Sequence, residues 1–447
     1  MPVWLNPSRL VLASFAALIL GGAFLLNLPW MQGPHPVSFL DCLFTATSAV
    51  CVTGLITVDT ATAWSPWGQG LILVLLQAGG LGIMTFSVAL LYLSRLKPSP
   101  RTHLALKGAL GPVSGREMGA LVRDVLLYTF ILEAIGAALL LVRFWGQFPA
   151  PKALALAGFH AVSAFCNAGF SLFSNNLESY PQDPLINLTV MGLIVLGGLG
   201  FVVLRELRGR LRPTEQDARR RLSLQTRVVL FTTAALVAGG AGALLLGEYL
   251  GGGAIRAGSV WPLIFQAVTP RTAGFNTVPI ESLTNASILV IMVLMFIGAS
   301  PGSTGGGVKT TTVAVLVALA RNRLRGRSGA EAWGRAVPGR QVELALVLVL
   351  GTAAVLAAAV ILLAAVGLEG GSYDPTNFLA LAFEAFSALG TVGLSLGVTP
   401  HLSPLGKLII IGLMFAGRLG PLTLVYSLTQ SLHEPRYRLA EERIMLG

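Results

Sequence analysis

Charge is what this 447-residue chain has least of: Asp, Glu, Lys and Arg make up 11% of it, against roughly 25% in an ordinary soluble domain. A chain so poor in charge does not read as a water-exposed globule, and no soluble domain of any size is left over. Cysteine is scarcer still, limited to Cys42, Cys51 and Cys166. Cys51 and Cys166 stand in apolar context with neither zinc nor redox spacing, so they read as small packing residues rather than a disulfide. The five histidines lack metal-ligand spacing, and no nucleophile, base and orienting group form a set. Nothing asks for an enzyme or for an organic cofactor on this chain.

What fills the space is apolar: 54% of residues are hydrophobic, in runs from Leu10 to Leu428 long enough for bilayer spans, which take about 20 residues each. The first run, Leu10 to Leu28, lacks a small-residue cleavage site followed by a soluble domain, and reads as a spanning helix rather than a signal peptide. Of 31 Lys and Arg, six fall between Arg95 and Arg123, eight between Arg205 and Arg227, six between Arg321 and Arg340 and three after His433; Asn27–Trp67 and Gly367–Pro404 hold none. This alternation is the positive-inside pattern of a polytopic membrane protein. It accounts for the formal charge of +11 without a nucleic-acid partner, and predicts cytoplasmic basic loops and termini.

Because the basic loops return after each pair of apolar helices, the spans fall near residues 10–28, 67–93, 122–144, 184–204, 227–249, 285–319, 342–366 and 405–431. All four pairs point the same way, a parallel fourfold rather than an inverted repeat. The predicted fold is an all-α polytopic membrane protein of four tandem helix, pore-loop, helix repeats around one pore. The repeats are residues 1–94, 95–204, 205–320 and 321–447, the second with a basic cytoplasmic loop, the third with an intramembrane loop over 298–310 and the fourth with a cytoplasmic tail.

Between the members of each pair lies a shorter segment with a shared pattern. Phe44 precedes Gly54, Phe159 precedes Gly169 and Phe383 precedes Gly393 by ten residues, whereas Phe265 precedes Gly274 by nine. Each segment is about half the length of a span, so it enters as a short helix and returns as extended chain. Non-helical backbone survives at membrane depth only where protein or a water-filled cavity satisfies it. Four such segments around one axis supply a solution, with inward carbonyls replacing the water shell of a cation. Glycine suits the turn because it reaches left-handed angles without steric cost. Thr391-Val392-Gly393 repeats the three residues that open the selectivity loop of potassium channels. A single such glycine would read as a loose turn or a helix contact; four copies reverse that preference.

Thr269-Pro-Arg-Thr-Ala-Gly-Phe-Asn276, Gly298-Ala-Ser-Pro-Gly-Ser-Thr-Gly-Gly-Gly-Val-Lys-Thr310, Gly417-Arg-Leu-Gly-Pro-Leu-Thr423 and the terminal Glu441-Glu-Arg-Ile-Met-Leu-Gly447 resemble the Trk/Ktr/HKT superfamily of potassium transporters, over essentially the whole chain. With eight expected spans and no extra amino-terminal pair, the chain looks most like the bacterial Ktr membrane subunit. The resemblance implies a selectivity filter built on Gly54, Gly169, Gly274 and Gly393, with potassium as the ion held there. The expected ion-binding stretches are Val50, Cys51, Val52, Thr53 and Gly54; Phe165, Cys166, Asn167, Ala168 and Gly169; Arg271, Thr272, Ala273 and Gly274; and Leu389, Gly390, Thr391, Val392 and Gly393. Some plant members carry serine at the first glycine and pass sodium, so Gly54 implies potassium selectivity. The resemblance also implies a homodimer with one pore per subunit, a cytoplasmic nucleotide-binding regulatory ring of the RCK type, and a bacterial cytoplasmic membrane location. Sodium as activator or coupling ion stays open.

The sixth span is interrupted by Pro301 and by Gly298, Gly302, Gly305, Gly306 and Gly307. Proline removes a backbone bond, and each interior glycine costs about 0.8–1.0 kcal/mol relative to alanine, so the helix breaks there. Proline alone would give a kink; the glycine density with Ser300, Ser303 and Thr304 favours a loop. The resemblance makes Gly298, Ser300 to Gly307 and Lys309 a gate beneath the filter, with Arg418 as an electrostatic barrier beside it. A phosphate-binding loop is excluded because Val308 separates Gly307 from Lys309 and the context is a span. Arg418, inside the last apolar span, is a functional-site candidate by default, and a pore-facing role fits better than snorkelling from mid-span. Glu133, alone inside the third, reads as a buried hydrogen bond or structural pair ahead of a proton or sodium relay. Asp41, Asp59, Glu178, Asp183, Asp374 and Glu384 could concentrate cations at the mouth. The expected function is gated, channel-like potassium uptake, with a sodium- or proton-coupled symporter as the alternative.

Overall fold

The computed structural model describes residues 7–82, 115–211, 222–253, 260–327, 329–368 and 376–420. The described residues are mostly helical. Helices α1 (Pro7–Leu26), α2 (Phe39–Val50) and α3 (Pro66–Gly80) are followed by α4 (Gly115–Phe144), α5 (Ala150–Cys166), α6 (Pro184–Leu199) and α7 (Phe201–Leu211). Then come α8 (Leu224–Gly251), α9 (Val260–Val268), α10 (Asn285–Phe296), α11 (Thr310–Leu324), α12 (Gly339–Val366), α13 (Thr376–Gly390) and α14 (Pro404–Leu419). One departure from an all-helical chain is a hairpin of β1 (Ala330–Ala332) on β2 (Arg335–Val337), antiparallel, whose turn residues Trp333 and Gly334 both have positive φ.

The helices that follow the loops start where the sequence places an N-cap, whose side-chain oxygen satisfies an orphan N–H of the first turn. Ser65 accepts from Gly68 N, Asp183 from Leu185 and Ile186 N, Thr284 from Ser287 N and Ser403 from Gly406 N. Pro66, Pro184 and Pro404 then occupy the first turn, where a missing N–H costs nothing.

Among the described residues, Val122–Phe144, Leu224–Gly251 and Gly339–Val366 are long and apolar enough to cross a membrane. They expose Phe130, Ile135, Val142, Phe231, Leu246, Leu350 and Ile361, the surface expected where lipid rather than water is the neighbour. The short helices α2, α5, α9 and α13 lie inside. Their pattern phenylalanines Phe44, Phe159, Phe265 and Phe383 are all buried and anchor each short helix to its surroundings. The last described helix returns to the first short one, α14 packing on α2, joined by an ion pair of Lys407 Nζ with Asp41 Oδ1 at 2.9 Å.

Two expected spans are not single helices. Residues 184–204 form α6 and α7, bent by 103° at Gly200, whose φ of +90° brings its backbone onto the loop after α10; Phe201 N donates to Gly302 O at 3.1 Å. Residues 285–319 form α10 and α11 with non-helical chain between, the break expected from Pro301 and its glycines. The spans expected at 67–93 and 405–431, and the mouth residue Asp374, lie partly or wholly outside the described residues.

Candidate functional site

The C-terminal ends of α2, α5, α9 and α13 converge on one place, and with them the negative ends of four helix dipoles. From there the chain leaves in a repeated conformation. Gly54, Gly169, Gly274 and Gly393 have φ of +98°, +69°, +74° and +93°, and two residues before each stands another left-handed residue, Val52, Asn167, Thr272 or Thr391. Left-handed residues at alternate positions rotate successive carbonyls toward one side, which a uniformly extended strand does not.

The four glycines form a closed ring. A Cβ on Gly54 would lie 2.5 Å from Ala168 O and 3.0 Å from Gly169 Cα; one on Gly169 would lie 2.9 Å from Ala273 O and 3.0 Å from Gly274 Cα. Gly274 meets Val392 O and Gly393, and Gly393 meets Thr53 O and Gly54, closer still. Each loop therefore rests its glycine on the carbonyl of the next, and only a residue without Cβ permits that approach.

The nine-residue spacing in the third loop does not break the ring. There α9 ends at Val268, three residues after Phe265, and a turn through Thr269–Ala273 carries the chain to Gly274. What keeps the register is a hydroxyl four residues after each phenylalanine: Ser48, Ser163, Thr269 and Ser387. The carbonyl of each accepts from the residue before the glycine, at 2.8, 2.8, 2.9 and 2.8 Å. The side chains complete the bond set. Ser48 and Ser387 Oγ accept from Gly54 and Gly393 N, both at 3.0 Å, while Ser163 and Thr269 donate to Phe170 and Phe275 O. These four residues were not singled out from sequence, although aligning the segments on their phenylalanines brings them into one column.

The loop over 297–309 lies directly against the inner side of this ring. Gly306 N donates to Thr391 Oγ1 at 3.1 Å, and a Cβ on Gly305 would collide with Thr272 Oγ1. Thr304 Oγ1 donates to Phe165 O at 3.3 Å, and Ser300 N and Thr304 N donate to Gly198 and Gly197 O. Lys309 folds back onto its own loop, donating to Gly305 O at 2.7 Å. Arg418, half-buried at the end of α14, donates to the carbonyls of Thr304 and Gly79, so it bridges the loop to α3 and its charge is met by backbone dipoles. Gly79, Gly197 and Gly417 bring α3, α6 and α14 against the carbonyls of Val50, Phe165 and Leu389, each six residues after its phenylalanine.

Glu133 has the buried hydrogen bonds expected of it: Gln77 Nε2 donates to it at 3.2 Å and Cys166 Sγ approaches at 3.8 Å. Cys42, Cys51 and Cys166 are free and buried, as packing residues should be.

On the side away from that loop the ring floors a cavity of about 250 Å³ lined by all four glycines with Asp59, Glu178 and Glu281, and no Lys, Arg or His. Of the six acids proposed for the mouth, Asp59 and Glu178 reach it. Glu281, not singled out from sequence, joins them. Three others are engaged or away from it: Asp41 pairs with Lys407, Asp183 pairs with Arg143 and caps α6, and Glu384 is fully buried beneath the rim, accepting from Ser395 and Thr399 hydroxyls. Burial raises the Glu178 carboxyl above the ordinary glutamate range and the charge of Glu281 adds to it, against the lowering effect of an Asn276 hydrogen bond.

A helical membrane protein whose short inner helices present glycine loops to one another in a closed ring is the class this architecture defines. The family described as TrkH, cation transport protein, matches residues 10–437, and the chain belongs to this Trk/Ktr family of potassium and sodium uptake transporters. It is 38% identical to the potassium/sodium uptake protein NtpJ of Enterococcus hirae, over 99% of this chain and 98% of that one. Ktr system potassium uptake protein B is 38% identical in Bacillus subtilis (95% and 94% covered) and 37% in Vibrio alginolyticus (98% and 94%). The fold matches the crystal structure of the potassium transporter TrkH from Vibrio parahaemolyticus with a TM-score of 0.70 at 21% identity, covering 96% of this chain and 86% of that one. These relatives are transporters and not enzymes.

Proposed function

We propose that the chain takes up potassium through a filter formed by the backbone carbonyls of the four loops, closed from the inside by the loop over 297–309. The closed glycine ring carries this reading: four chain segments held at left-handed angles aim carbonyls at one axis, and an acid-lined cavity concentrates cations above it. Potassium is the substrate rather than a resident cofactor. The names of the Ktr relatives support a system with a partner subunit, and we assign that part to a cytoplasmic RCK-type ring acting on the gate of a homodimer in the bacterial cytoplasmic membrane. A stoichiometric symporter is favoured by one observation, the buried Glu133 against the second filter loop. Flux into liposomes holding the purified chain, comparing potassium, rubidium and sodium with and without an imposed sodium gradient, separates the two. Potassium entry at equal rates with and without the gradient supports the channel-like reading; entry that requires the gradient overturns it.

Removing Gly305 to Gly307 should raise flux by about tenfold without any partner, equivalent to about 1.4 kcal/mol off the barrier, with the potassium-to-sodium ratio retained. Loss of all flux in a folded, inserted protein would make the loop structural. The raised Glu178 carboxyl predicts a pH effect with a definite sign. Glu178 is neutralised at a higher external pH than an ordinary glutamate, so the KM for potassium should rise as pH falls through that range. Glu178→Gln should show the raised KM at neutral pH and remove that portion of the pH dependence.

A further inference from the structure

The residue after each pattern phenylalanine is polar and buried in all four short helices: Thr45, His160, Gln266 and Glu384 are 1%, 0%, 0% and 0% exposed. Two of them reach the chain leaving the filter and two do not. Glu384 accepts from Ser395 Oγ and, at 3.0 Å, from Thr399 Oγ1. His160 Nδ1 faces the Leu156 carbonyl at 2.7 Å, which can only accept, so in the neutral ring Nε2 is left to accept the Ser171 hydroxyl at 2.9 Å. Ser171 and Ser395 stand at the same place, two residues beyond Gly169 and Gly393.

The equivalent places in the first and third loops are Ile56, which has no polar atom to offer, and Asn276, which donates to Glu178 at 2.6 Å and to Val278 O. Correspondingly, Thr45 Oγ1 and both amide atoms of Gln266 are buried without a protein partner. The tie between short helix and outer filter is thus made in alternate loops, and neither His160 nor Glu384 faces the ring itself.

We propose that Glu384 and His160 are positioning residues, which pin the outer ends of the second and fourth filter loops and so keep the carbonyl ring at potassium spacing. The proposal rests on the filter reading given above. Loops one and three, lacking the tie, are held at their outer ends by leaning on the pinned pair: each glycine rests on its neighbour's carbonyl, and Ser174 Oγ to Asp59 and Leu177 N to Asn276 O bond both of them to the second loop. A pinned ring resists closing onto the smaller sodium ion; a ring that has lost one pin does not. Hydrogen bonds to an ionisable acceptor are among the stronger polar contacts, and removing the acceptor takes the main partner from the buried Thr399 hydroxyl and from the half-buried Ser395 hydroxyl, which lie 3.1 Å apart.

The test uses the full chain in liposomes, with potassium-to-sodium uptake ratio and maximal potassium rate read separately. Glu384→Ala should lower the ratio by about tenfold with less effect on the maximal rate, and Glu384→Gln, which keeps one accepting oxygen, should recover most of it. Thr45→Ala, at the untied equivalent place, should keep the wild-type ratio. If Glu384→Ala does not reach the membrane, a Ser395→Ala, Thr399→Val double variant removes the donors and spares the acid, and should show the same fall. A wild-type ratio in folded Glu384→Ala or in that double variant overturns the proposal, as does an equal fall in Thr45→Ala. Gly54→Ser, run alongside, tells the two readings apart. If it alters the ratio while Glu384→Ala does not, only the pin fails; if neither alters it, the filter assignment fails and takes the pin with it.

Discussion

Arg418→Gln should raise potassium flux by about tenfold, equivalent to about 1.4 kcal/mol off the barrier. The guanidinium is half-buried against the loop that packs on the glycine ring, and repulsion between unit charges about 4 Å apart is on the order of 4 kcal/mol at an effective dielectric of 20. The two carbonyls it donates to, Thr304 and Gly79, offset part of that repulsion, which is why the expected gain is smaller than the bare Coulomb figure. A second effect acts in the same direction. Through those bonds Arg418 ties the loop to α3, and glutamine, with one amide donor group, cannot hold both carbonyls as a guanidinium fork does.

Arg418→Lys separates the two contributions. It keeps the charge and gives up the fork, so flux near wild type assigns the barrier to charge, and flux near that of Arg418→Gln assigns it to the tether. Initial rates of rubidium uptake into liposomes, normalised to inserted protein, measure both. A folded Arg418→Gln protein with wild-type flux at every potassium concentration would remove Arg418 from the pathway and leave it a structural residue.

How much of this was legible in the sequence varies with the kind of force involved. The phenylalanine-to-glycine register could be read because both ends have strict steric roles, a buried anchor at Phe44, Phe159, Phe265 and Phe383 and a left-handed contact at each glycine. The break in the sixth span could be read because proline and clustered glycine forbid a helix locally. The bend at Gly200 could not. Gly197, Gly198 and Gly200 look like helix-packing glycines, and the cause of the bend is a hydrogen bond to Gly302, about a hundred residues away.

Backbone acceptors are likewise invisible in sequence. For Arg418 the sequence leaves Glu133 and a backbone carbonyl open as partners without saying which carbonyl, and the structure supplies those of Thr304 and Gly79. Glu384 reads as a mouth acid because it lies in an external segment; the helix turns it inward, under Ser395 and Thr399. Composition places an acid near a membrane surface, but only the helical phase decides which way it faces.

The glycine ring permits a graded prediction rather than a single substitution. Gly54→Ser places a Cβ at 2.5 Å from the Ala168 carbonyl on a backbone with φ of +98°, and a left-handed angle costs a residue with Cβ roughly 1–2 kcal/mol even in open space. Neither neighbour can give, since the obstructing atom is backbone of the adjacent loop and itself part of the carbonyl ring. One quarter of the ring must shift, and the potassium-to-sodium uptake ratio should fall by about tenfold or more, a change equivalent to 1.4 kcal/mol. Gly169→Ala should be the mildest of the four corresponding alanine replacements, because its nearest obstruction is 2.9 Å away at the lowest of the four angles, +69°. Gly393→Ala should be the most severe, since its Cβ would fall deepest into the Thr53 carbonyl at φ of +93°. Competitive uptake of potassium against sodium, measured across the series at equal insertion, gives the ranking directly. An unchanged ratio in folded Gly54→Ser, or a series in which Gly169→Ala is the most damaging, would count against a filter built on this ring.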